Sequence, residues 1–91
     1  MLFVSMAKVK AGTQQERIAR RLQWKYPEGL RPVAEYWPIG CEYAVISVVE
    51  ADSTASIMTA LSAWNDVFDF TVAPVVRAEE GLEWAKQMMK S

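Results

Sequence analysis

Residues 43–50, YAVISVVE, contain no polar side. In an extended chain successive side chains alternate between faces, so Tyr43, Val45, Ser47 and Val49 form one row and Ala44, Ile46 and Val48 the other. Both rows are mostly apolar, and a strand of that kind needs a covering layer on each face. A chain of 91 residues has little material for two layers, because small domains bury only about 60–65% of their unfolded surface. Hydrophobic residues still make up 52% of it and charged residues 23%, which is more apolar than an average soluble domain. Cys41 is the single cysteine, so no intrachain disulfide supplements the thin core. Association with a second copy is one way to cover the surplus.

The charge balance and the missing residue types exclude several functions. A net charge of −1 gives no overall positive field to hold a polyanion, and no nucleic-acid partner is expected. The opening MLFVSMAKVK places its lysines after a short apolar run, wrongly flanked for a signal peptide and too short for a membrane span. A cytoplasmic protein with no membrane partner is expected. Histidine is absent, which removes the commonest general base and the commonest metal ligand. Neither a metal nor a cofactor is expected.

Along the chain, LFVSMAK at 2–8 reads as a strand, and Thr13 with Glu16 three residues later forms a capping-box signature for a helix. That helix is expected to bury Ile18, Ala19, Leu22 and Tyr26 and to stop at Pro27 and Gly29. RPVAEYWPIG at 31–40 reads as an edge strand, since Pro32 and Pro38 cannot donate to a ladder. Gly40 turns the chain into a third strand over 42–50, antiparallel to the second. Asp52 or Ser53 caps a second helix with Ile57, Ala60, Leu61 and Trp64 on one stripe and Thr54, Ser56, Thr59 and Ser62 outward. VFDFTVAPVV follows as a fourth strand that Pro74 interrupts, and a third, amphipathic helix spans 78–90.

Strand, helix, strand, strand, helix, strand is the order of a ferredoxin-like βαββαβ α+β fold with a four-stranded antiparallel sheet. The chain reads as one domain over 1–91, a core over 1–76 with a C-terminal helix. Two helices cover one face of the sheet and leave the other bare. The bare apolar face is too large for a soluble monomer, and a twin subunit related by a two-fold axis covers it with its own copy of the same patch.

The element order over about the first 76 residues, and the final strand FDFTVAPVV ending in Pro-Val, resemble the dimeric α+β barrel superfamily. YPEGLRPVAEYW, the AW at 63–64 and FDFTVAPVV together are similar to an uncharacterised domain-of-unknown-function family of short prokaryotic proteins. The resemblance implies a homodimer or a higher assembly whose sheets face each other, with any small-molecule cavity between a sheet and its helices. It further implies cofactor-independent monooxygenase-like chemistry or ligand sensing as activities, with Trp64 and Asn65 of the residue types that monooxygenases of the superfamily use. Haem-degrading relatives rely on a histidine that this chain does not have.

Pocket candidates are Tyr36, Trp37, Tyr43, Trp64, Asn65 and Phe68, set against plainer readings. Trp64 on its helical stripe reads first as core. Tyr36 and Trp37 are adjacent on a strand, so only one of them lines a given pocket. Tyr43 offers a hydroxyl near Trp37 or else closes a strand end. Arg17, Arg20, Arg21 and Trp24 read as a solvated helix face, Cys41 as inert, and no spacing gathers Glu35, Glu42, Asp66 and Asp69. Subunit-contact candidates are Val45, Val49, Phe70, Val72 and Val75. The expected function is binding of a small apolar or aromatic molecule; the alternative is a structural protein whose apolar sheet face serves only assembly.

Overall fold

The capping box forms at the start of the first helix: the Thr13 hydroxyl accepts from the Glu16 N–H at 3.1 Å, and the Glu16 carboxylate accepts from the Thr13 N–H at 3.2 Å. The computed structural model, which describes residues 1–90, runs β1 (Leu2–Val9), α1 (Gln14–Leu22), β2 (Leu30–Tyr36), β3 (Val45–Ala51), α2 (Thr54–Trp64), β4 (Phe68–Val75) and α3 (Ala78–Met89). The strands form one antiparallel sheet in the order β2-β3-β1-β4, so the fold is the ferredoxin-like α+β arrangement expected. Pro32 and Pro74 both fall on outer strands, where a missing N–H disrupts no shared ladder. At Pro32 the register slips before Ala34, leaving Val33 in a bulge.

α1 is shorter than its sequence pattern. The Gln23 and Trp24 N–H groups bond to Arg20 and Arg21 carbonyls three residues back, which tightens the last turn and ends the helix at Leu22. Leu22 is therefore 78% exposed rather than buried, and Trp24 and Tyr26 sit in the connection to β2. β2 stops at Tyr36 and β3 starts at Val45, so Trp37 and Tyr43 belong to the connection between them. Ser56, expected outward, is buried: its hydroxyl donates to the Ser53 carbonyl at 2.8 Å and reaches the Gly29 carbonyl at 3.4 Å. Thr59 and Ser62 point outward and bond to helix carbonyls four residues back.

Strand register fixes which row each side chain joins. Ser5 opposes Ser47 and Val72, and Ala7 opposes Val45 and Phe70. That row faces α1 and α2. Val45, Val49, Phe70 and Val72 thus point toward the helices and not onto the uncovered face, which carries the alternate positions. Those are Val4 and Met6 of β1, Ile46 and Val48 of β3, Thr71, Ala73 and Val75 of β4, and Ala34 and Tyr36 of β2. Of the expected subunit-contact residues only Val75 lies on it.

The core is divided. One cluster joins Ala7, Trp64, Val67 and Phe68, and the other joins Leu30, Val49, Ala51 and Ile57. Neither contains a large side chain that is completely sealed from solvent among the described residues. The molecule measures 53 × 32 × 17 Å with a radius of gyration of 15.5 Å, against about 12 Å for a compact chain of this length. α3 accounts for much of the excess, since none of its residues is buried and Leu82, Trp84 and Met89 are all more than half exposed.

Candidate functional site

Between the two core clusters and beneath α1 and α2 lies an open-mouthed cavity of about 660 Å³. Its floor is the helix-facing row of the sheet and its roof comes from Ile18, Ile57, Ala60 and Leu61. A run of rings forms one wall: Tyr26 meets Trp24 edge-on at 5.7 Å between centroids, Trp24 meets Trp64 at 5.7 Å, Trp64 meets Phe68 at 5.8 Å, and Phe68 meets Phe70 at 5.8 Å. Edge-on pairs of this spacing contribute about 0.5–1.5 kcal/mol each beyond the area they bury. The shortness of α1 is what frees Trp24 and Tyr26 to join this wall.

One polar cluster stands on the wall. Glu35 of β2 accepts from Trp37 Nε1 at 2.7 Å, from Arg21 Nε and Nη2 at 3.3 Å, and from the Tyr26 hydroxyl at 3.3 Å. The carboxylate thus ties α1, the α1–β2 connection and the β2–β3 connection together at the cavity edge. Burial pushes the Glu35 pKa up, but the bonds from Trp37, Arg21 and Tyr26 outweigh it and hold the carboxyl below its ordinary value. Burial and then the Glu35 charge raise the Tyr26 phenol above its usual value. Each oxygen of Glu35 receives two donors, so the group is an organiser of the wall with no acceptor capacity left over.

The arginines of α1 stay solvent-accessible, and each is tethered. Arg17 lines the cavity and donates to the Ala11 and Gly12 carbonyls at 3.0 and 2.8 Å. Arg20 forms a bidentate pair with Asp66 at 2.8 and 3.0 Å and lies over the Trp64 ring at 5.2 Å. Together Arg20, Asp66 and Trp64 fasten α1 to the end of α2.

Of the expected pocket residues, Trp37, Trp64 and Phe68 line the cavity. Tyr36 does not: it points to the uncovered face and is 65% exposed. Tyr43 packs under the Lys8 ammonium at 5.3 Å, on the side away from the cavity. Asn65 lies on a separate shallow depression with Lys10, Met58 and Asp69, because it follows the last turn of α2 and points past the roof. Sequence reasoning overlooked Trp24, Tyr26, Arg21 and Glu35 as one constellation. The signal was present only as four polar or aromatic residues bracketing a Pro-Glu-Gly turn. Among the described residues no group of three or more His, Cys, Asp or Glu is placed to hold a metal ion, and no helix is long and apolar enough to cross a membrane. Cys41 is exposed at the tip of the β2–β3 connection, its sulfur 3.6 Å from the Tyr43 carbonyl.

An α+β sandwich with an aromatic-walled cavity under its helices is the class that fold and site define. The chain belongs to the family described as Domain of unknown function (DUF3303), whose sequence profile matches residues 1–89. No curated protein and no solved structure shows significant similarity to it.

Proposed function

We propose that this protein binds a small, largely apolar aromatic molecule in the cavity beneath α1 and α2, and that it does so as a homodimer joined through the uncovered sheet face. The observation that carries the binding reading is the cavity. At about 660 Å³ it falls within the roughly 300–1,000 Å³ of small-molecule sites, and its aromatic walls with one convergent polar cluster have the composition of such sites. Sensing or carrying fits better than monooxygenase-like catalysis, because Asn65, of the residue type such enzymes use, lies outside the cavity and the Glu35 carboxylate has both oxygens occupied.

The dimer is supported by the bare row of Val4, Met6, Ile46 and Val48, ringed by the charged residues Lys8, Arg31, Glu50 and Asp69. An apolar centre with a polar rim is the pattern of a buried contact. The rival reading, an assembly protein with a passive interior, draws on the same face and on the exposed apolar side of α3.

Titrating the protein with planar aromatic compounds, read by tryptophan fluorescence, tests the first part, with Ala60→Trp as the variant that fills the cavity. Micromolar binding lost in Ala60→Trp supports the proposal; no binding to the wild type leaves the assembly reading. For the second part, sedimentation of Val48→Glu is compared with wild type. The buried unpaired charge is expected to dissociate or precipitate the dimer, and a wild-type protein that sediments as a monomer at all concentrations refutes it.

A further inference from the structure

The cavity floor is not uniformly apolar. In register, Glu35 of β2 opposes Ser47 of β3, Ser47 opposes Ser5 of β1, and Ser5 opposes Val72 of β4. A single polar rung therefore crosses three of the four strands, spanning roughly 10 Å at the usual strand spacing. The rungs on either side are apolar: Val45, Ala7 and Phe70 on one, Val49, Phe3 and Pro74 on the other. Glu35 is saturated by its own donors. Ser5 and Ser47 are not, since neither hydroxyl has a hydrogen-bond partner within the described chain. Both residues line the cavity, both are half-buried, and among the described residues no buried side-chain oxygen is sealed off without a partner. Their oxygens accordingly open into the cavity.

Resting on the binding reading above, we propose that Ser5 and Ser47 are the specificity-determining pair of this site, and that the ligand is a planar aromatic ketone or quinone whose carbonyl oxygen accepts from both hydroxyls. Directly opposed residues on neighbouring antiparallel strands lie about 4.5–5.5 Å apart at Cα. Two hydroxyls on one face at that spacing converge on a single oxygen above the floor. A carbonyl oxygen has two lone pairs and takes both donors. The ring system then lies over Val45 and Phe70 and against Trp64. A ligand without the oxygen leaves two hydroxyls stripped of water and unpaired, which is the more costly arrangement and the stronger source of discrimination.

The test uses 9-fluorenone and fluorene, which share a ring frame and differ by one carbonyl oxygen. Equilibrium dialysis gives the Kd of each for the wild type, Ser5→Ala, Ser47→Ala and the double variant. In the wild type 9-fluorenone is expected to bind at least about tenfold tighter than fluorene, as two ordinary hydrogen bonds warrant. The double variant is expected to erase that preference while binding fluorene at least as tightly as wild type, because no hydroxyl is then left unpaired, which also shows that the fold and cavity are intact. Fluorene binding with no wild-type preference for the ketone, or a preference that survives the double substitution, overturns the serine assignment and leaves the cavity reading standing. Failure of both compounds to bind the wild type overturns both.

Discussion

Replacing Glu35 by glutamine removes one charge and little volume, and the structure fixes what should follow. The carboxylate receives one short bond, from Trp37 Nε1 at 2.7 Å, and three long ones at 3.3 Å. The long ones exceed the usual N–H···O distance and contribute less. The Arg21 partner is 39% exposed and the Glu35 side chain 21%, so the ion pair itself is worth no more than about 1 kcal/mol. A hydrogen bond to a charged group adds about 1.5–3 kcal/mol. Glutamine has one carbonyl oxygen and one NH₂, so its NH₂ faces either Trp37 Nε1 with Arg21 Nε or Arg21 Nη2 with the Tyr26 hydroxyl, and in both orientations an arginine donor is opposed. The expected loss is about 1.5–3 kcal/mol, which for a chain of this size lowers Tm by about 6–24 °C. Thermal unfolding followed by near-ultraviolet circular dichroism measures it, with Trp37→Phe and the double variant completing a cycle. A coupling of at least about 0.5 kcal/mol between the two positions is expected. A Glu35→Gln protein melting within about 2 °C of wild type, with effects additive to Trp37→Phe, would show that the carboxylate does not organise the cavity wall.

Trp64→Ala is expected to destabilise by about 3–5 kcal/mol in urea, because the indole contacts Trp24, Phe68 and Arg20 at once; a loss under about 1 kcal/mol would mean that the wall does not hold the fold together. Since the Glu35 pKa is depressed in the folded state, its contribution is complete above the unfolded value of about 4.3 and disappears as pH falls through the folded value. The stability gap between wild type and Glu35→Gln should therefore narrow on acidification, and a gap that widens contradicts the sign. Tyr26 works in the opposite direction: its pKa is raised, so its contribution is present below about 10 and lost as pH rises through the folded value, and Tyr26→Phe should flatten that alkaline limb.

Element order was legible because caps, prolines and period-two runs act over a few residues. Thr13 and Glu16 located the start of α1, and YAVISVVE identified a strand with two apolar rows. Row assignment was not legible, for the reason that made YAVISVVE notable: with both rows apolar, nothing local distinguishes Val45 from Ile46. Register with β1 decides it, and that depends on contacts more than thirty residues apart. Trp64 was visible on its helical stripe. Trp24 and Tyr26 were placed on a helix because the tightening turn after Leu22 has no strong sequence mark, and the Glu35 cluster needs three separate segments to converge. Ser47 is the one polar member of its row between Val45 and Val49, and only the strand register sets it opposite Ser5.

The prolines of the two outer strands carry a consequence for how copies of this molecule can meet. Pro32 with its bulge and Pro74 leave both lateral margins short of backbone donors, and a margin of that kind resists being lengthened strand by strand into fibrils. Growth of the sheet sideways is discouraged on both flanks, so ordered association is steered toward contact through a flat side or through the projecting C-terminal helix.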